Sequence, residues 1–288
     1  MSPVVTPFFH EDTATFTYVV ADPERLVAAV IDPVLDYDAA AARTGRDSID
    51  AVIAHLKAHR LRVDWILETH AHADHLSAAP LLKAACGGCI AIGQGIRRVQ
   101  ATFRDIYHLG HEFPVDGSQF DHLFAEGETF HVGGIDARAI PTPGHTSDSL
   151  SYLIGDAVFV GDSLFMPDGG SARCDFPGGS AAELYASAQR LFELPDDTRV
   201  FVCHDYQPDG RELRCETTIG EQKRANIHLR EGVSEAEFVA TRNARDATLG
   251  MPRLILPAIQ VNIRAGELPA PEDNGQRYLK IPLNRFGG

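Results

Sequence analysis

Residues 63–75 read VDWILETHAHADH, in which a short apolar run leads directly into three histidines and an aspartate. The run Val63–Leu67 has the length and composition of a buried strand. Loops at strand ends are where open α/β sheets place their functional sites. The loop after this strand offers four side chains that could bind a metal ion: His70, His72, Asp74 and His75.

Three further candidate ligands lie at the ends of later apolar runs. His145 follows one such run, Asp162 follows Ala157–Val160, and His204 follows Arg199–Cys203. Neutral imidazole and carboxylate groups suit zinc, iron or manganese. A histidine-rich loop without metal is the alternative, but so many ligand types rarely gather at strand ends without one. We therefore predict a metal centre where these strands end.

The rest of the chain alternates strand and helix patterns. The predicted strands are three hairpin pairs and one single strand: Thr15–Val20 with Leu26–Ile31, Thr129–Val132 with Ile135–Ile140, Leu150–Ile154 with Ala157–Val160, and Arg199–Cys203. The predicted helices are Asp47–Arg60, Leu76–Ala85, Gly95–Tyr107, Ala181–Phe192, Glu216–Arg230 and Ser234–Asp246. Two strand-rich halves predict two sheets packed on each other with helices outside. We expect one domain over 1–288, with a core of about 10–230 and C-terminal helices and a proline-rich irregular tail over 231–288.

The composition is that of an ordinary globular protein, with 288 residues of which 44% are hydrophobic and 23% charged. The net charge of −14 argues against general binding to nucleic acids or anionic membranes, whose phosphates require basic side chains. An anionic substrate would need a local basic anchor. Five dispersed cysteines form no disulfide pattern, and no segment reads as a signal peptide or membrane span. We expect a soluble, cytoplasmic protein.

The HAHADH motif at residues 70–75, together with the three later ligands, resembles the five metal-binding motifs of the metallo-β-lactamase superfamily. The resemblance extends from about residue 10 to about residue 230. It implies an α/β fold, the αββα sandwich, with metal between the edges of the two sheets. In most relatives two metals are bound, which implies three sets of ligands here: His70, His72 and His145 for one ion, Asp74, His75 and His204 for the other, and Asp162 as the bridge.

The loop that follows Asp162 indicates one branch of this superfamily. Residues 173–176 read RCDF, and an arginine followed by x-Asp-Phe at this place resembles the persulfide dioxygenases. The segment between Gln94 and Glu126 is longer than in the shorter members of that family. The chain therefore resembles a longer bacterial subgroup of the persulfide dioxygenases.

This resemblance implies an iron-dependent enzyme that oxidises glutathione persulfide with O₂ and water to sulfite and glutathione. One Fe(2+) per subunit would be held by two histidines and one carboxylate: His70, His145 and Asp162. The other ligand types would surround this site as polar groups or as an unused second metal site: His72, Asp74, His75 and His204. The resemblance also implies a homodimer.

Loop residues near the metal ligands are candidates for the substrate site. We expect Arg173 and Tyr206 to act in the reaction, because a guanidinium offsets the carboxylates of glutathione persulfide and a phenol can donate a hydrogen bond. The expected substrate contacts are Arg173, Tyr185 and Thr146. A salt bridge with Asp168 or Asp175 is the alternative role for Arg173, and plain packing is the alternative for Tyr206.

Other conspicuous residues receive structural interpretations. Cys174 is expected to be an inert buried thiol, and Cys86–Cys89 to be a turn after a helix. The aromatic stretch Phe103–Phe124 fits a lid, a subunit contact or core packing. Three histidines in or near this stretch are expected at the surface or in a lid: His108, His111 and His122.

Two other functions remain open from the sequence. A dinuclear zinc hydrolase of thioesters, resembling glyoxalase II (hydroxyacylglutathione hydrolase), is the alternative that the intact ligands Asp74, His75 and His204 support. A non-catalytic sensor of metal or persulfide is the third hypothesis. Oxygen consumption distinguishes the dioxygenase from the hydrolase, and turnover distinguishes both from the sensor.

Overall fold

The computed structural model of the protein describes residues 2–285. In chain order, the strands are β1 (Val4–His10), β2 (Thr15–Asp22), β3 (Val27–Ile31), β4 (Val34–Leu35), β5 (Tyr37–Asp38), β6 (Arg43–Thr44), β7 (Arg62–Leu67), β8 (Leu76–Ser77), β9 (Cys89–Gly93), β10 (His122–Phe124), β11 (Thr129–Val132), β12 (Ile135–Pro141), β13 (Leu150–Ile154), β14 (Ala157–Phe159), β15 (Arg199–Phe201) and β16 (Glu216–Thr218). The helices are α1 (Asp47–Ala58), α2 (Ala79–Cys86), α3 (Ile96–Tyr107), α4 (Ala181–Phe192), α5 (Ile219–Ala225), α6 (Glu235–Asp246) and α7 (Ile255–Asn262).

Two six-stranded mixed sheets form the centre of the fold. The first has the order β1-β2-β3-β7-β9-β10, in which β3, β7, β9 and β10 run parallel. The second has the order β11-β12-β13-β14-β15-β16, in which only β14 and β15 run parallel. The three predicted hairpins are confirmed as the antiparallel pairs β2–β3, β11–β12 and β13–β14.

The sheets pack face to face over a core of aromatic and branched side chains. Tyr18 of the first sheet lies 5.3 Å from Phe159 and 5.5 Å from Phe201 of the second, measured between ring centroids. Helices α1, α2, α3 and α7 bury apolar faces outside the first sheet, and α4, α5 and α6 do so outside the second. The predicted αββα sandwich is therefore confirmed.

The predicted apolar face of α1 is also confirmed, since Ile49, Val52, Ile53 and Leu56 are all buried. Spacings of three and four residues place these side chains on one side of a helix. Helix α2 packs on β7 and β9, and α1 packs on α2. The loop that follows β7 carries the first candidate ligands.

Three sequence predictions of elements need correction. The predicted helix Leu76–Ala85 begins as strand β8, which pairs with β4, and turns into α2 only at Ala79. The predicted helix Glu216–Arg230 is strand β16 followed by the short α5. Helix α5 ends just before Asn226, whose buried side chain accepts hydrogen bonds from the backbone N–H groups of His228 and Leu229.

The predicted irregular tail contains helix α7, which buries Ile255 and Ile259 against the core of the first sheet. The sequence analysis missed this helix because its apolar residues are not confined to one face, as is usual for a helix buried on several sides. Among the described residues, no helix has the length and apolar character needed to cross a membrane.

Both sheets end at a common edge, where the candidate ligands lie. Residues after β7 come from the first sheet, and residues after β12, β14 and β15 come from the second. Two contacts tie the sheets together at this edge: Thr15 and His204 form a β-bridge, and the Tyr18 hydroxyl donates to the backbone oxygen of Val202 at 2.5 Å.

Candidate metal centre

Three buried side chains from both sheets form one compact group. His70 follows β7, His145 follows β12 and Asp162 follows β14, and one possible ligand atom of each lies within 4.8 Å of the others. Nε2 of His145 lies 3.4 Å from a carboxylate oxygen of Asp162. The fold thus brings together the two histidines and one carboxylate that the sequence analysis assigned to iron.

The remaining candidate ligands lie directly beside this group. Three other sets are equally compact: His72, Asp74 and His75; Asp162, Cys203 and His204; and Asp32, His72 and Cys203. Nε2 of His204 lies 3.1 Å from Asp74 and 3.3 Å from Asp162. The arrangement therefore offers ligands for one ion and the means to hold a second.

Buried polar atoms of this cluster lack hydrogen-bond partners. Across residues 2–285, eight buried side-chain nitrogen or oxygen atoms have none, and seven belong to the cluster: His70 Nε2, His72 Nδ1 and Nε2, Asp74 Oδ2, His75 Nε2, Asp162 Oδ1 and His204 Nε2. An unpaired buried polar atom costs about 1–3 kcal/mol. Bound metal would satisfy the atoms that point into the cluster, whereas His72 Nε2 lies 3.0 Å from the Asp32 carboxylate. The donor set therefore fits a metal centre.

Polar groups behind the rings orient two of the histidines. Nδ1 of His145 lies 2.7 Å from the backbone oxygen of Arg173. Asp32 is buried directly after β3, lies 3.0 Å from Nε2 of His72 and accepts a hydrogen bond of 2.7 Å from the Thr69 N–H. A carbonyl or carboxylate behind the ring is the usual device that holds a metal-binding histidine in place.

The cluster sets the charge of its own ligands. Burial and the neighbouring His72 lower the pKa of His70 well below its usual value and that of His75 to about 3. Burial opposes a charge on His72, but Asp32 raises its pKa to about 10. Burial favours a protonated Asp74, but the adjacent histidines lower its pKa to about 2. Neutral imidazoles and ionised carboxylates are the forms that bind divalent cations, so His70, His75 and Asp74 are in the binding form, whereas His72 must lose a proton to act as a ligand.

A cavity of about 610 Å³ opens on this cluster. It is lined by four of the candidate ligands: Asp74, His145, Asp162 and His204. Apolar side chains such as Phe165, Met166 and Leu249 form another part of its wall. Its volume is that of a site for a small organic molecule.

Arg173 lines the cavity, but a neighbouring carboxylate holds its guanidinium. The side chain donates two hydrogen bonds to Asp175, of 2.6 and 2.7 Å, and one of 2.6 Å to the backbone oxygen of Gly250. The guanidinium also lies 5.0 Å from the centre of the Phe176 ring. The salt bridge with Asp175 that the sequence analysis named as the alternative role is therefore present, whereas Asp168 pairs with Arg211 instead.

The other predicted substrate residues differ in position. Tyr206 lines the cavity and is 61% exposed, and its ring is stacked parallel to that of His204 with centroids 5.6 Å apart. Tyr185 and Thr146 are not part of the cavity wall. The Tyr185 hydroxyl donates to the backbone oxygen of Val233 at 2.9 Å, and Thr146 shares a hydrogen bond of 2.6 Å with the Ser149 hydroxyl.

The structural interpretations of other residues can also be compared with the fold. Cys174 is buried, and this burial raises its pKa to about 12, as expected for an inert thiol. Gly87 has a φ of 74° and ends α2, so Cys86–Cys89 forms the predicted turn, with its cysteines half-buried. The aromatic stretch belongs to the core, in which five of its side chains are buried: Phe103, Tyr107, Phe113, Phe120 and Phe124.

The sequence analysis missed two residues that support the ligands. Asp32 follows the apolar run Leu26–Ile31 directly, so the rule used for the other ligands could have identified it. Asn262, at the end of α7, donates hydrogen bonds of 2.8 Å to the backbone oxygens of His72 and His75. No motif in the sequence marks Asn262.

A family model for the Metallo-beta-lactamase superfamily matches residues 11–204. This is more than half of the chain, and the matched range contains every candidate ligand described above. The chain therefore belongs to the metallo-beta-lactamase superfamily, a class of metal-dependent enzymes in which hydrolases predominate.

Similar proteins carry names of two kinds. A Beta-lactamase hydrolase-like protein of Xylella fastidiosa is 53% identical over 100% of this chain, which spans only 66% of that relative's length. Glyoxylase B2 of Dictyostelium discoideum is 50% identical over 95% of this chain and 94% of its own length. The mitochondrial Persulfide dioxygenase ETHE1 of Homo sapiens is 30% identical over 90% of this chain and 87% of its own length.

A solved structure is similar over nearly the whole chain. The crystal structure of ETHE1 from Myxococcus xanthus superimposes with a TM-score of 0.72 at 30% sequence identity. The match covers 92% of this chain and 100% of that protein.

Proposed function

We propose that the protein is an iron-dependent persulfide dioxygenase with one Fe(2+) per subunit. The observation that carries this proposal is the buried group of two histidines and one carboxylate, His70, His145 and Asp162, beside a cavity of small-molecule size. In the reaction, R–S–SH, O₂ and water give R–SH, sulfite and two protons. The outer sulfur is oxidised and dioxygen is reduced, so no further co-reactant is needed.

The donor set supports iron. A facial triad of two histidines and one carboxylate is typical of non-haem Fe(2+) oxygenases. Such an ion would supply open coordination positions for the persulfide sulfur and for O₂, together with the electrons that activate oxygen. Similarity to the human persulfide dioxygenase and to the Myxococcus structure supports the same reaction.

Other residues of this chain would orient a metal ligand, contribute to the charge of the cavity wall and limit the access of water. The Arg173 carbonyl orients His145, and its guanidinium adds positive charge to the cavity wall although Asp175 shares that charge. Phe165 and Met166 provide apolar surface beside the ligands, which limits the access of water. Glutathione persulfide is the proposed substrate, because the cavity accommodates an organic thiol of this size.

A dinuclear hydrolase of thioesters is the second candidate function. The observation that favours it is the contact of His204 with both Asp74 and Asp162, which is the arrangement that a second metal ion requires. A relative that is 50% identical is named Glyoxylase B2. In such an enzyme, two metal ions would activate a water molecule for attack on the thioester carbonyl.

Oxygen uptake tests the proposed function. Apoprotein loaded anaerobically with ferrous iron should consume one O₂ per glutathione persulfide and release one sulfite. His145→Ala and Asp162→Ala should lose the bound iron and at least 99% of the uptake, whereas the exposed His111→Ala is the matched control and should retain both.

The same samples separate the two candidates. Asp74→Asn should keep one iron per subunit and most of the oxygen uptake if a single metal acts. Iron-loaded protein that consumes no O₂, together with zinc-loaded protein that hydrolyses a glutathione thioester and loses this activity in Asp74→Asn, would replace the dioxygenase by the hydrolase.

A further inference from the structure

Four arginines line the cavity in a protein of net charge −14: Arg173, Arg242, Arg245 and Arg253. Two of them are neutralised by carboxylates. Arg173 pairs with Asp175, and the buried Arg242 pairs with Asp246 while also donating 2.9 Å to the Ser171 backbone oxygen. These two guanidiniums therefore hold the walls of the cavity together.

Arg245 and Arg253 differ from this pair. Both side chains are exposed, and within residues 2–285 no carboxylate oxygen lies within 4.0 Å of either guanidinium. Arg253 donates one hydrogen bond of 3.2 Å to the backbone oxygen of Asp12, and its other N–H groups are available. Arg245 has no side-chain hydrogen bond in this part of the chain. Each can therefore bind an anion from solution.

The carboxylates of the same wall do not cancel these two charges. The Arg211 guanidinium donates hydrogen bonds of 2.7–2.8 Å to the carboxylates of both Asp168 and Asp205. Asp74 and Asp162 belong to the metal cluster. Asp12 is the remaining carboxylate of the lining; Arg253 contacts its backbone oxygen, and its carboxylate forms no ion pair with either guanidinium among the described residues.

We propose that Arg245 and Arg253 form a carboxylate-binding subsite, which selects a thiol carrier that bears carboxylates away from its sulfur. The inference rests on the proposed function for the sulfur chemistry. One cavity contains both the metal ligands and these arginines, so a peptide-sized thiol can direct its sulfur to the former and a carboxylate to the latter. An inorganic polysulfide would occupy little of a cavity of about 610 Å³.

Both arginines lie outside the part of the chain that carries the metal ligands. Arg245 is on α6 and Arg253 precedes α7, beyond residue 204, where the superfamily match ends. The subsite therefore assigns selection of the carrier to the C-terminal region. It also supplies the local basic anchor that an anionic substrate requires in an acidic protein.

Binding of glutathione to the iron-loaded protein under nitrogen tests the subsite by calorimetry. Arg245→Gln and Arg253→Gln should each weaken binding about fivefold, and the double variant about twentyfold, the range expected for partly exposed ion pairs. Glutathione diethyl ester, whose carboxylates are blocked, should bind wild type and variants alike. Arg230→Gln is the matched control, because Arg230 is exposed and lies outside the cavity wall.

The outcomes distinguish this inference from the proposed function, because no O₂ is present and no turnover is measured. Weaker binding of glutathione but not of its ester in both arginine variants supports the subsite, even for a protein that later proves to be a hydrolase. Equal binding of glutathione by wild type and the double variant overturns the inference. A wild type that binds neither glutathione nor its ester also overturns it, and so does a wild type that binds the ester as tightly as glutathione. If one of these overturning results is found for a protein that is an active dioxygenase, only the subsite is disproved and the proposed function stands.

Discussion

Asn262 joins helix α7 to the loop that carries candidate metal ligands. Its side chain makes three hydrogen bonds of 2.8 Å to that loop. The amide nitrogen donates to the backbone oxygens of His72 and His75, and the amide oxygen accepts from the Ser77 N–H. The residue is 5% exposed. It therefore acts as a positioning residue, since it fixes the backbone from which two candidate ligands project.

Asn262→Leu should weaken metal binding about 10- to 100-fold, the usual effect of removing a partner that orients metal ligands. The substitution also leaves three buried backbone groups without this partner, so stability should fall by several kcal/mol, at about 1–3 kcal/mol per group. Competition with a chelator measures the affinity. The absorption spectrum of the cobalt-substituted protein reports the ligand geometry, which a purely structural loss would leave unchanged.

Asn262→Asp serves as the conservative comparison, because it keeps the acceptor for Ser77 and loses the two donated hydrogen bonds. It should have an intermediate metal affinity. Asn243→Leu changes an exposed asparagine of α6 and should leave affinity and spectrum as in wild type. An unaltered metal affinity in Asn262→Leu would contradict the positioning role.

Among single residues, the sequence predicts the candidate ligands but not the residues that support them. His70, His145, Asp162 and His204 could be predicted to meet, because each follows a predicted strand and so many possible ligands rarely lie at strand ends by accident. The roles inferred for Asn262 and Arg245 depend only on where the fold places these side chains. No sequence pattern distinguishes such polar residues on C-terminal helices from ordinary surface residues. The roles of Arg173 and Tyr206 in the reaction stay predictions.

Among the elements, the turn before His145 depends on a glycine. Gly144 has a φ of 140°, and a Cβ at this position would overlap the backbone of Leu184 at the start of α4. The Ser180 N–H donates to the Gly144 backbone oxygen at 2.8 Å, so this turn and α4 are packed as one unit. The close approach sets the position from which His145 reaches the cluster.

Gly144→Ala should lower the free energy of unfolding by about 3 kcal/mol, since overpacking adds to backbone strain. It should also reduce metal affinity, because α4 and the His145 turn must move apart. Urea unfolding and chelator competition measure the two effects. Gly127→Ala is the matched control: its φ of 71° is also positive but no atom lies near its Cβ, so about 1 kcal/mol is expected. Equal costs at both positions would show that the contact with Leu184 is unimportant.

Helices were predictable where one face alone is buried, and fully buried strands were predictable where two apolar runs flank a turn. Helix α1 has a single apolar stripe, and its extent follows from that pattern. Leu76–Ser77 and Glu216–Thr218 lack such a pattern, and they are strands only because β4 and β15 offer pairing partners. Tertiary contacts of this kind cannot be deduced from local propensity.

In the whole molecule, the candidate metal site connects the two sheets. His70 comes from the first sheet, while His145, Asp162 and His204 come from the second. Removal of the metal should therefore lower the stability of the entire fold. At a free metal concentration of one thousand times Kd, binding contributes about 4 kcal/mol, which corresponds to a shift in Tm of about 7 °C for a chain of this size.

Differential scanning calorimetry with and without added metal measures this shift. Asp162→Ala should unfold at the same temperature in both conditions, because the group that contacts ligands of both sets is lost. His111→Ala should show the full shift. A Tm of wild type that is independent of metal would indicate that the cluster does not hold an ion in the folded state.

The order of the ligands along the chain has a consequence for synthesis. His70–His75 leave the ribosome about 130 residues before His204, and Asn262 follows later still. At about 5–20 residues per second, the nascent protein carries an incomplete site for roughly ten seconds. The β-bridge between Thr15 and His204 closes only after that interval. The full set of candidate ligands therefore exists only once His204 has been synthesised, so a metal that needs ligands from both sheets can bind no earlier than that point.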